Sequence, residues 1–169
     1  MSGVIIRHSD EGERMWFAGG GLFTFKLTAA ETGGTLLLFE DVMQRGKCTP
    51  LHQHPQEEET IYVLDGELLV HADGEEHRVG ASGCFMAPRG VPHAFRVESE
   101  TARVLAMLTP GAAEAFYRDA GEPSTSPEDA HRPADFARLR AAAERSPSIE
   151  ILGPPPFARS AEPAVAPAT

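Results

Sequence analysis

The sequence has few cysteines, few basic residues and no long apolar run. Its 169 residues include only Cys48 and Cys84, which do not suggest a disulfide framework. Lys and Arg number 15 against 25 Asp and Glu, for a net charge of -10. We therefore expect no nucleic-acid partner, because binding to phosphates needs a basic patch. The apolar runs are far too short to cross a bilayer, so we expect no membrane partner.

The first residues do not have the pattern of a signal peptide. The apolar run from Val4 to Ile6 is short, and charged residues follow it. A cytoplasmic location is therefore the expectation. The length suits one domain that can bury a core without disulfides.

Residues 1–110 are rich in short segments of β-forming residues separated by turn signals. Examples are LFTFKLTA (22–29), TLLLFEDVM (35–43), TIYVL (60–64), ELLVHA (67–72), HAFRVE (93–98) and ARVLAMLT (102–109). Asp-Gly pairs at 65–66 and 73–74 favour tight hairpin turns. Many short strands at close spacing predict an all-β sandwich or barrel.

The composition changes after residue 110. Two short helices are predicted, at 112–121 and 134–146, with a linker at 122–133. The last residues are rich in Pro and Ala. We therefore predict a β-barrel domain over 1–110, a helical extension over 111–152 and a disordered tail over 153–169.

Three histidines and one glutamate form the candidate functional group. His52 and His54 are two residues apart, so both point to one face of an extended strand. Glu59 follows after a turn, and His93 lies behind the rigid segment PRGVP. Three imidazoles and one carboxylate suit one divalent transition metal ion: Fe, Mn, Co, Ni, Cu or Zn. The alternative is that His52 and His54 lie on a solvated strand edge.

The stretch Gly46-(x)5-His52-x-His54-(x)4-Glu59-(x)6-Gly66 matches the first motif of the cupin superfamily at every defined position. By this resemblance His52, His54, Glu59 and His93 are the metal ligands. The resemblance also implies a conical jelly-roll β-barrel and often a homodimer. Glu58 is the alternative to Glu59 as the carboxylate ligand. We prefer Glu59 because of its spacing to Gly66.

The segment Pro88-x-Gly90-(x)2-His93 resembles the second cupin motif. It departs from that motif at Ser82, where a glycine is usual, and at Val97, where an asparagine is common. Neither position supplies a ligand, so the metal-site prediction is unaffected.

A single barrel with a helical C-terminus resembles the quercetin 2,3-dioxygenase-like monocupins. That resemblance implies an enzyme, a metal-dependent dioxygenase that uses O₂ on a small aromatic or enolic substrate, flavonol-like or polyketide-like. Glu59 would then be both ligand and catalytic base. Two alternatives stay open: a non-oxidative, metal-dependent isomerase, cyclase or lyase, and a small-molecule-binding cupin without catalysis.

The barrel interior around the metal should be apolar. Candidate lining residues, for each of which ordinary core packing is the favoured alternative, are Phe23, Phe25, Phe39, Cys48, Ile61, Val63, Phe85, Met86, Phe95 and Met107. We expect Cys84 in the core, and Glu57 and Glu58 in a solvated turn. The segment 112–121 could cover the barrel opening with Phe116 or Tyr117 inward, or pack outside the sheet.

Overall fold

A computed structural model describes residues 3–157 of the chain. The strands within this range are β1 (Glu13–Phe17), β2 (Leu22–Leu27), β3 (Leu37–Gln44), β4 (Leu51–Gln53), β5 (Glu58–Asp65), β6 (Glu67–Ala72), β7 (Glu75–Gly80), β8 (Cys84–Ala87), β9 (His93–Val97), β10 (Thr101–Thr109), β11 (Gly121–Pro123) and β12 (Glu150–Gly153). The helices are α1 (Ala29–Thr32), α2 (Glu114–Ala120) and α3 (Phe136–Arg145), with a 3₁₀ helix at Pro127–His131.

The strands form two antiparallel sheets that enclose one hydrophobic core. One sheet has the order β11-β1-β2-β3-β10-β5-β8, and the other has the order β12-β4-β9-β6-β7. Along β3 and β10, buried residues alternate with more exposed ones, as expected for strands with a single buried face. Buried side chains of both sheets belong to one core cluster. The fold is the predicted conical jelly-roll β-barrel.

The two Asp-Gly pairs have different roles. Asp73 and Gly74 both have positive φ, as a tight two-residue turn requires, and they join the paired strands β6 and β7. Asp65-Gly66 does not make a hairpin, because β5 and β6 belong to different sheets. Gly66 forms the corner: a Cβ there would lie 2.4 Å from the Thr101 carbonyl oxygen. The hairpin expectation at 65–66 is therefore wrong.

Residues after 110 do more than form a helical extension. Strand β11 pairs with β1, and β12 pairs with β4, so the segment adds one strand to each sheet. Helix α2 ends at Ala120, and Gly121 stops it, as the sequence predicts. Helix α3 buries Leu139, Ala142 and Ala143. The division at 110 and 152 stays a prediction, and residues 158–169 of the predicted tail lie outside the described residues.

The helices are short. The longest, α3, has ten residues. Between residues 3 and 157, no helix combines the length and the hydropathy needed to span a membrane.

Candidate metal centre

The four predicted residues come together between the two sheets. His52 lies on β4 and His93 begins β9, and these residues are direct partners in the β4–β9 pair. His54 follows β4, and Glu59 lies on β5 in the other sheet. One ligand atom from each residue lies within 4.8 Å of the others, and all four residues are buried. The solvated-edge alternative for His52 and His54 is therefore wrong.

Backbone carbonyls orient all three imidazoles. Nδ1 of His52 is 2.9 Å from the Pro50 oxygen, and Nδ1 of His93 is 2.9 Å from the Val91 oxygen. Nδ1 of His54 is 2.8 Å from the oxygen of Ser148 in the C-terminal segment. A carbonyl accepts only from an N–H, so Nδ1 carries the proton in each ring. In a neutral ring the Nε2 lone pair is then free, which is the arrangement of metal-binding histidines.

The contacts among the four residues fit a cation. Nε2 of His93 is 2.9 Å from Oε2 of Glu59, and Nε2 of His54 is 3.9 Å from Oε1. His54 Nε2 is buried and has no hydrogen-bond partner in residues 3–157. In neutral rings these nitrogens point lone pairs toward a carboxylate, which is repulsive unless a proton or a metal ion lies between them. A donor set of three imidazoles and one carboxylate suits a divalent transition metal ion.

The protonation equilibria of the cluster are strongly perturbed. Burial, followed by the charge of His93, lowers the pKa of His52 to about 3. Burial alone would raise the pKa of Glu59, but the hydrogen bond from His93 and the nearby imidazoles bring it well below its usual range. Burial opposes a charged His93, yet the Glu59 carboxylate raises its pKa. The cluster therefore combines a neutral His52 with an ionised carboxylate, which are the forms that bind metals.

An aromatic cavity adjoins the cluster. Its lining includes His52, Glu59 and six aromatic residues: Phe17, Phe23, Phe39, Phe95, Phe116 and Tyr117. Its volume is about 60 Å³, which holds only a few water-sized groups. An aromatic ring therefore requires some lining side chains to shift.

The C-terminal segment covers this cavity. Phe116 and Tyr117 of α2 are buried and point inward, and Leu139, Ile149 and Ile151 also line the cavity. The Tyr117 hydroxyl lies 3.5 Å from Oε1 of Glu59, as a donor. Burial, then the charges of Glu59 and Asp41, raise the pKa of Tyr117 well above its usual value. Helix α2 therefore covers the cavity with Phe116 and Tyr117 pointing inward, and it does not pack outside the sheet.

The predicted lining is correct in part. Phe23, Phe39, Ile61 and Phe95 line the cavity. The other candidates do not line it: Phe25, Cys48, Val63, Phe85, Met86 and Met107. Met86 is 55% exposed because β8 is an edge strand and its side chain faces outward.

Two expectations about individual residues are wrong. Cys84 is exposed rather than in the core, because it begins the edge strand β8. Glu57 is fully buried rather than solvated, beside the buried Ser148, and burial raises the pKa of its carboxyl. Glu58 does retain solvent contact, and its Oε1 lies 3.6 Å from Nε of Arg89. Glu59, not Glu58, faces the histidines.

The sequence reasoning did not identify an ion pair in the cavity wall, formed by Asp41 and Lys47. A signal for Asp41 was present: it shares strand parity with Phe39 and Met43, so an acidic residue falls on the buried face of β3. No comparable signal marked Lys47, which lies in a loop.

Comparison with known proteins agrees with the fold. Residues 39–108 match the family model of the cupin domain, and this range contains all four residues of the cluster. The chain belongs to the cupin superfamily.

Two curated relatives and one solved structure are informative. The chain is 31% identical over 118 residues to quercetin 2,3-dioxygenase of Bacillus subtilis, covering 70% of this chain and 35% of that protein. It is 36% identical over 85 residues to polyketide synthase CurC of Streptomyces cyaneus, covering 50% and 54%. The chain thus spans about a third and about half of these relatives. KdgF from Halomonas sp. has the same fold, with a TM-score of 0.58 at 19% identity, covering 64% of this chain and 94% of KdgF.

Proposed function

We propose that this chain is a metal-dependent dioxygenase of a small aromatic or enolic substrate. One observation carries the proposal: four buried donor residues, three histidines and a glutamate, converge beside an aromatic cavity. The likeness to quercetin 2,3-dioxygenase supports the reaction class. A cytoplasmic homodimer, as expected from the sequence and the family resemblance, is part of the proposal.

The residues would divide the work as follows. His52, His54, Glu59 and His93 would hold one divalent transition metal ion. That ion, when bound, would bind a substrate oxygen and lower the pKa of its hydroxyl, and a redox-active metal would also support reaction with O₂. The carbonyl oxygens of Pro50, Ser148 and Val91 keep the rings oriented. These hydrogen bonds leave the imidazole rings little freedom to rotate.

Glu59 is the proposed proton acceptor. Its pKa is well below its usual range, so its carboxylate is ionised at neutral pH. It lines the cavity where a substrate hydroxyl would lie. The Tyr117 hydroxyl is 3.5 Å from its Oε1 and would help to hold the carboxylate in position. The apolar cover over the cavity would exclude water from the substrate.

The cavity favours a small, flat, apolar substrate with an acidic hydroxyl. Its wall is largely aromatic, and its present volume is below the 300–1,000 Å³ of typical ligand sites. A single-ring substrate therefore requires less rearrangement than a flavonol. The relative named as a polyketide synthase is consistent with polyketide-like compounds as an alternative class.

The first test measures metal content by mass spectrometry on untagged protein that has received no added metal. The proposal predicts near-stoichiometric Fe, Mn, Co, Ni or Cu, and O₂ consumption with enolic or phenolic compounds at an oxygen electrode. His93→Ala should lose the metal while the barrel stays folded. His77→Ala is the matched control, since the His77 side chain is 57% exposed. Full metal content in His93→Ala would rule out the assigned ligands.

A non-oxidative reaction is the second candidate, and it is compatible with the likeness to a protein named polyketide synthase CurC, a name that does not imply use of O₂. In that case the metal would act as a Lewis acid in an isomerisation, cyclisation or elimination. Turnover under strictly anaerobic conditions, with a redox-inactive metal such as zinc, would distinguish this reading from the oxygenase. Binding of small aromatic compounds without any turnover would leave a cupin that binds its ligand and does not transform it.

A further inference from the structure

A second polar group lies in the wall of the aromatic cavity, outside the histidine cluster. Asp41 on β3 and Lys47 in the loop before β4 both line the cavity. Nζ of Lys47 donates to Oδ2 of Asp41 at 2.5 Å, and the two side chains are only 7% and 5% exposed. A hydrogen-bonded aspartate–lysine pair is thus buried among phenylalanines.

The pair has unused hydrogen-bonding capacity. Oδ1 of Asp41 is buried and has no hydrogen-bond partner of normal geometry in residues 3–157. The Leu22 amide is a hydrogen-bond donor to the Asp41 carboxyl and acts to lower its pKa. Because a carboxylate oxygen can accept two hydrogen bonds, Oδ1 still has acceptor capacity. Lys47 has three N–H donors, and the one hydrogen bond from Nζ within the described range goes to Asp41. Its Nζ lies 5.8–5.9 Å from the ring centres of Phe17, Phe23 and Phe95. One acceptor and spare donors are therefore adjacent in an apolar space.

Gly21 preserves space beside the pair. A Cβ at Gly21 would lie 2.5 Å from Oδ1 of Asp41 and 2.9 Å from Nζ of Lys47. No side chain can therefore occupy this position without displacing the pair.

A buried ion pair of this kind is expected to contribute little to the stability of the fold. Desolvation offsets most of the attraction in a buried ion pair, and apolar residues of similar volume are often as stable or more stable. Burial raises the pKa of Asp41 despite the neighbouring ammonium group, which reflects this cost. A ligand that formed hydrogen bonds with the free acceptor and donors would offset part of this desolvation cost.

We propose that Asp41 and Lys47 form a second polar subsite of the cavity, which binds a hydroxyl group of an aromatic ligand. Lys47 donates a hydrogen bond to the hydroxyl oxygen, and the hydroxyl donates one to Oδ1 of Asp41. This inference rests on the proposed function in one respect: a second oxygen of the same ligand would lie at the histidine cluster. A substrate bound at both places would be an aromatic compound with at least two oxygen substituents.

Benzyl alcohol and ethylbenzene are the probes for this subsite. They have nearly the same shape and differ by a hydroxyl in place of a methyl group. Their dissociation constants would be measured by NMR titration of the full-length protein, as purified and again after removal of metal by chelation. The quantity of interest is the ratio of the two constants, because it cancels most of the contribution from burying the ring.

The main variant removes both charges at once: Lys47→Met with Asp41→Leu. It leaves no unpaired buried charge, so the fold should be retained. We expect the preference for benzyl alcohol over ethylbenzene to fall about tenfold or more, the size expected for hydrogen bonds to charged groups. Lys26→Met is the control and should leave the ratio unchanged, because Nζ of Lys26 donates to the backbone carbonyls of residues 8, 9 and 11 at the surface.

Each outcome decides the proposal. An unchanged ratio in the folded double variant would overturn it, as would failure of both probes to bind the wild-type protein. If the double variant does not fold, Lys47→Met with Asp41→Asn replaces it, because this pair also leaves no buried charge and removes the ammonium donors. A ratio unchanged from wild type again overturns the subsite. The metal-free measurement separates the two proposals: absence of a metal would refute the proposed function and leave this ratio measurable.

Discussion

The two walls of the cavity are built differently. The barrel wall contributes every residue of the histidine cluster, from strands or turns of residues 52–93. The cover, residues 111–157, contributes apolar side chains such as Phe116 and Leu139. The barrel wall thus holds the polar chemistry and the cover excludes water. Two contacts join the walls. The Ser148 carbonyl of the cover orients the His54 ring, and the Tyr117 hydroxyl of the cover lies 3.5 Å from Oε1 of Glu59.

The walls also differ in what holds them. Pairing of β4 with β9 sets the positions of His52 and His93. Pairing of β5 with β10 and β8 in the other sheet sets the position of Glu59. The cover has short strand pairs and exposed ion pairs, such as Arg145 with Asp119 at 2.7 Å. Exposed ion pairs of this kind contribute about 0–1 kcal/mol. Burial of apolar side chains must therefore supply most of the stability of the cover.

The largest expected effect concerns that burial. Phe116 is 1% exposed, and Phe116→Ala should lower the free energy of unfolding by about 3–5 kcal/mol because it leaves a cavity. Phe136→Ala in the same segment is the control; its side chain is 48% exposed, and we expect a loss of under about 1 kcal/mol. Urea unfolding followed by circular dichroism would measure both. Equal effects would mean that the cover is not held by apolar burial.

The next effect concerns the polar wall. Glu59→Gln should weaken metal affinity by about 100-fold, or about 2.7 kcal/mol, because it removes the anionic ligand. Glu58→Gln is its matched control, since the Glu58 side chain is 46% exposed and lies near Arg89. Competition with a chelator of known affinity would give both values. Comparable losses in the two variants would show that the glutamates are not distinguished as proposed.

The third effect is a pH dependence of the metal-free protein. Because the pKa of His52 is about 3 in the folded state, below its ordinary 6.5, the unfolded chain binds a proton that the folded chain does not. Stability should therefore fall as pH drops from 6.5 toward 3, by at most about 1.4 kcal/mol per pH unit. Above pH 6.5 the His52 ring is neutral in both the folded and the unfolded state, so it no longer lowers the free energy of unfolding.

Other groups titrate near this pH window, so the measurement compares the pH dependence of stability in wild type and in a variant without His52. Burial raises the pKa of Asp41 and Glu57, and these groups favour the folded state at low pH. His93, with its raised pKa, loses its contribution only as pH rises above 6.5. Comparing unfolding of wild type and His52→Gln between pH 6.5 and 4.5 isolates His52. Parallel pH profiles would contradict the shift.

The smallest effect concerns the contact between the walls at Tyr117. Its hydroxyl is 3.5 Å from Glu59, at the outer limit for a hydrogen bond, so Tyr117→Phe should change stability by about 1 kcal/mol or less. Metal affinity should not change. Unfolding and chelator competition would measure both quantities, with the partly exposed Tyr62→Phe as control. A loss of metal would show that Tyr117 is needed to position the carboxylate.

The sequence by itself determined the barrel and the identity of the clustered residues. Side chains two apart on a strand share a face, so His52 and His54 had to be neighbours. The spacing to Glu59 and the rigid segment before His93 resembled the cupin motifs, and the structure brings all four residues within reach of one ion. The Asp73-Gly74 hairpin was also predictable, because its positive φ angles follow from those residues.

Tertiary structure alone decided what surrounds that cluster. It placed β5 and β6 in different sheets, buried Glu57 beside Ser148, and turned Phe116 and Tyr117 into the cavity. It also paired Lys47 with Asp41. Local geometry constrains residues a few positions apart, and strand period or turn chemistry can be seen in a short window. The docking of a distant segment depends on apolar area summed over many residues, which no short stretch of sequence contains.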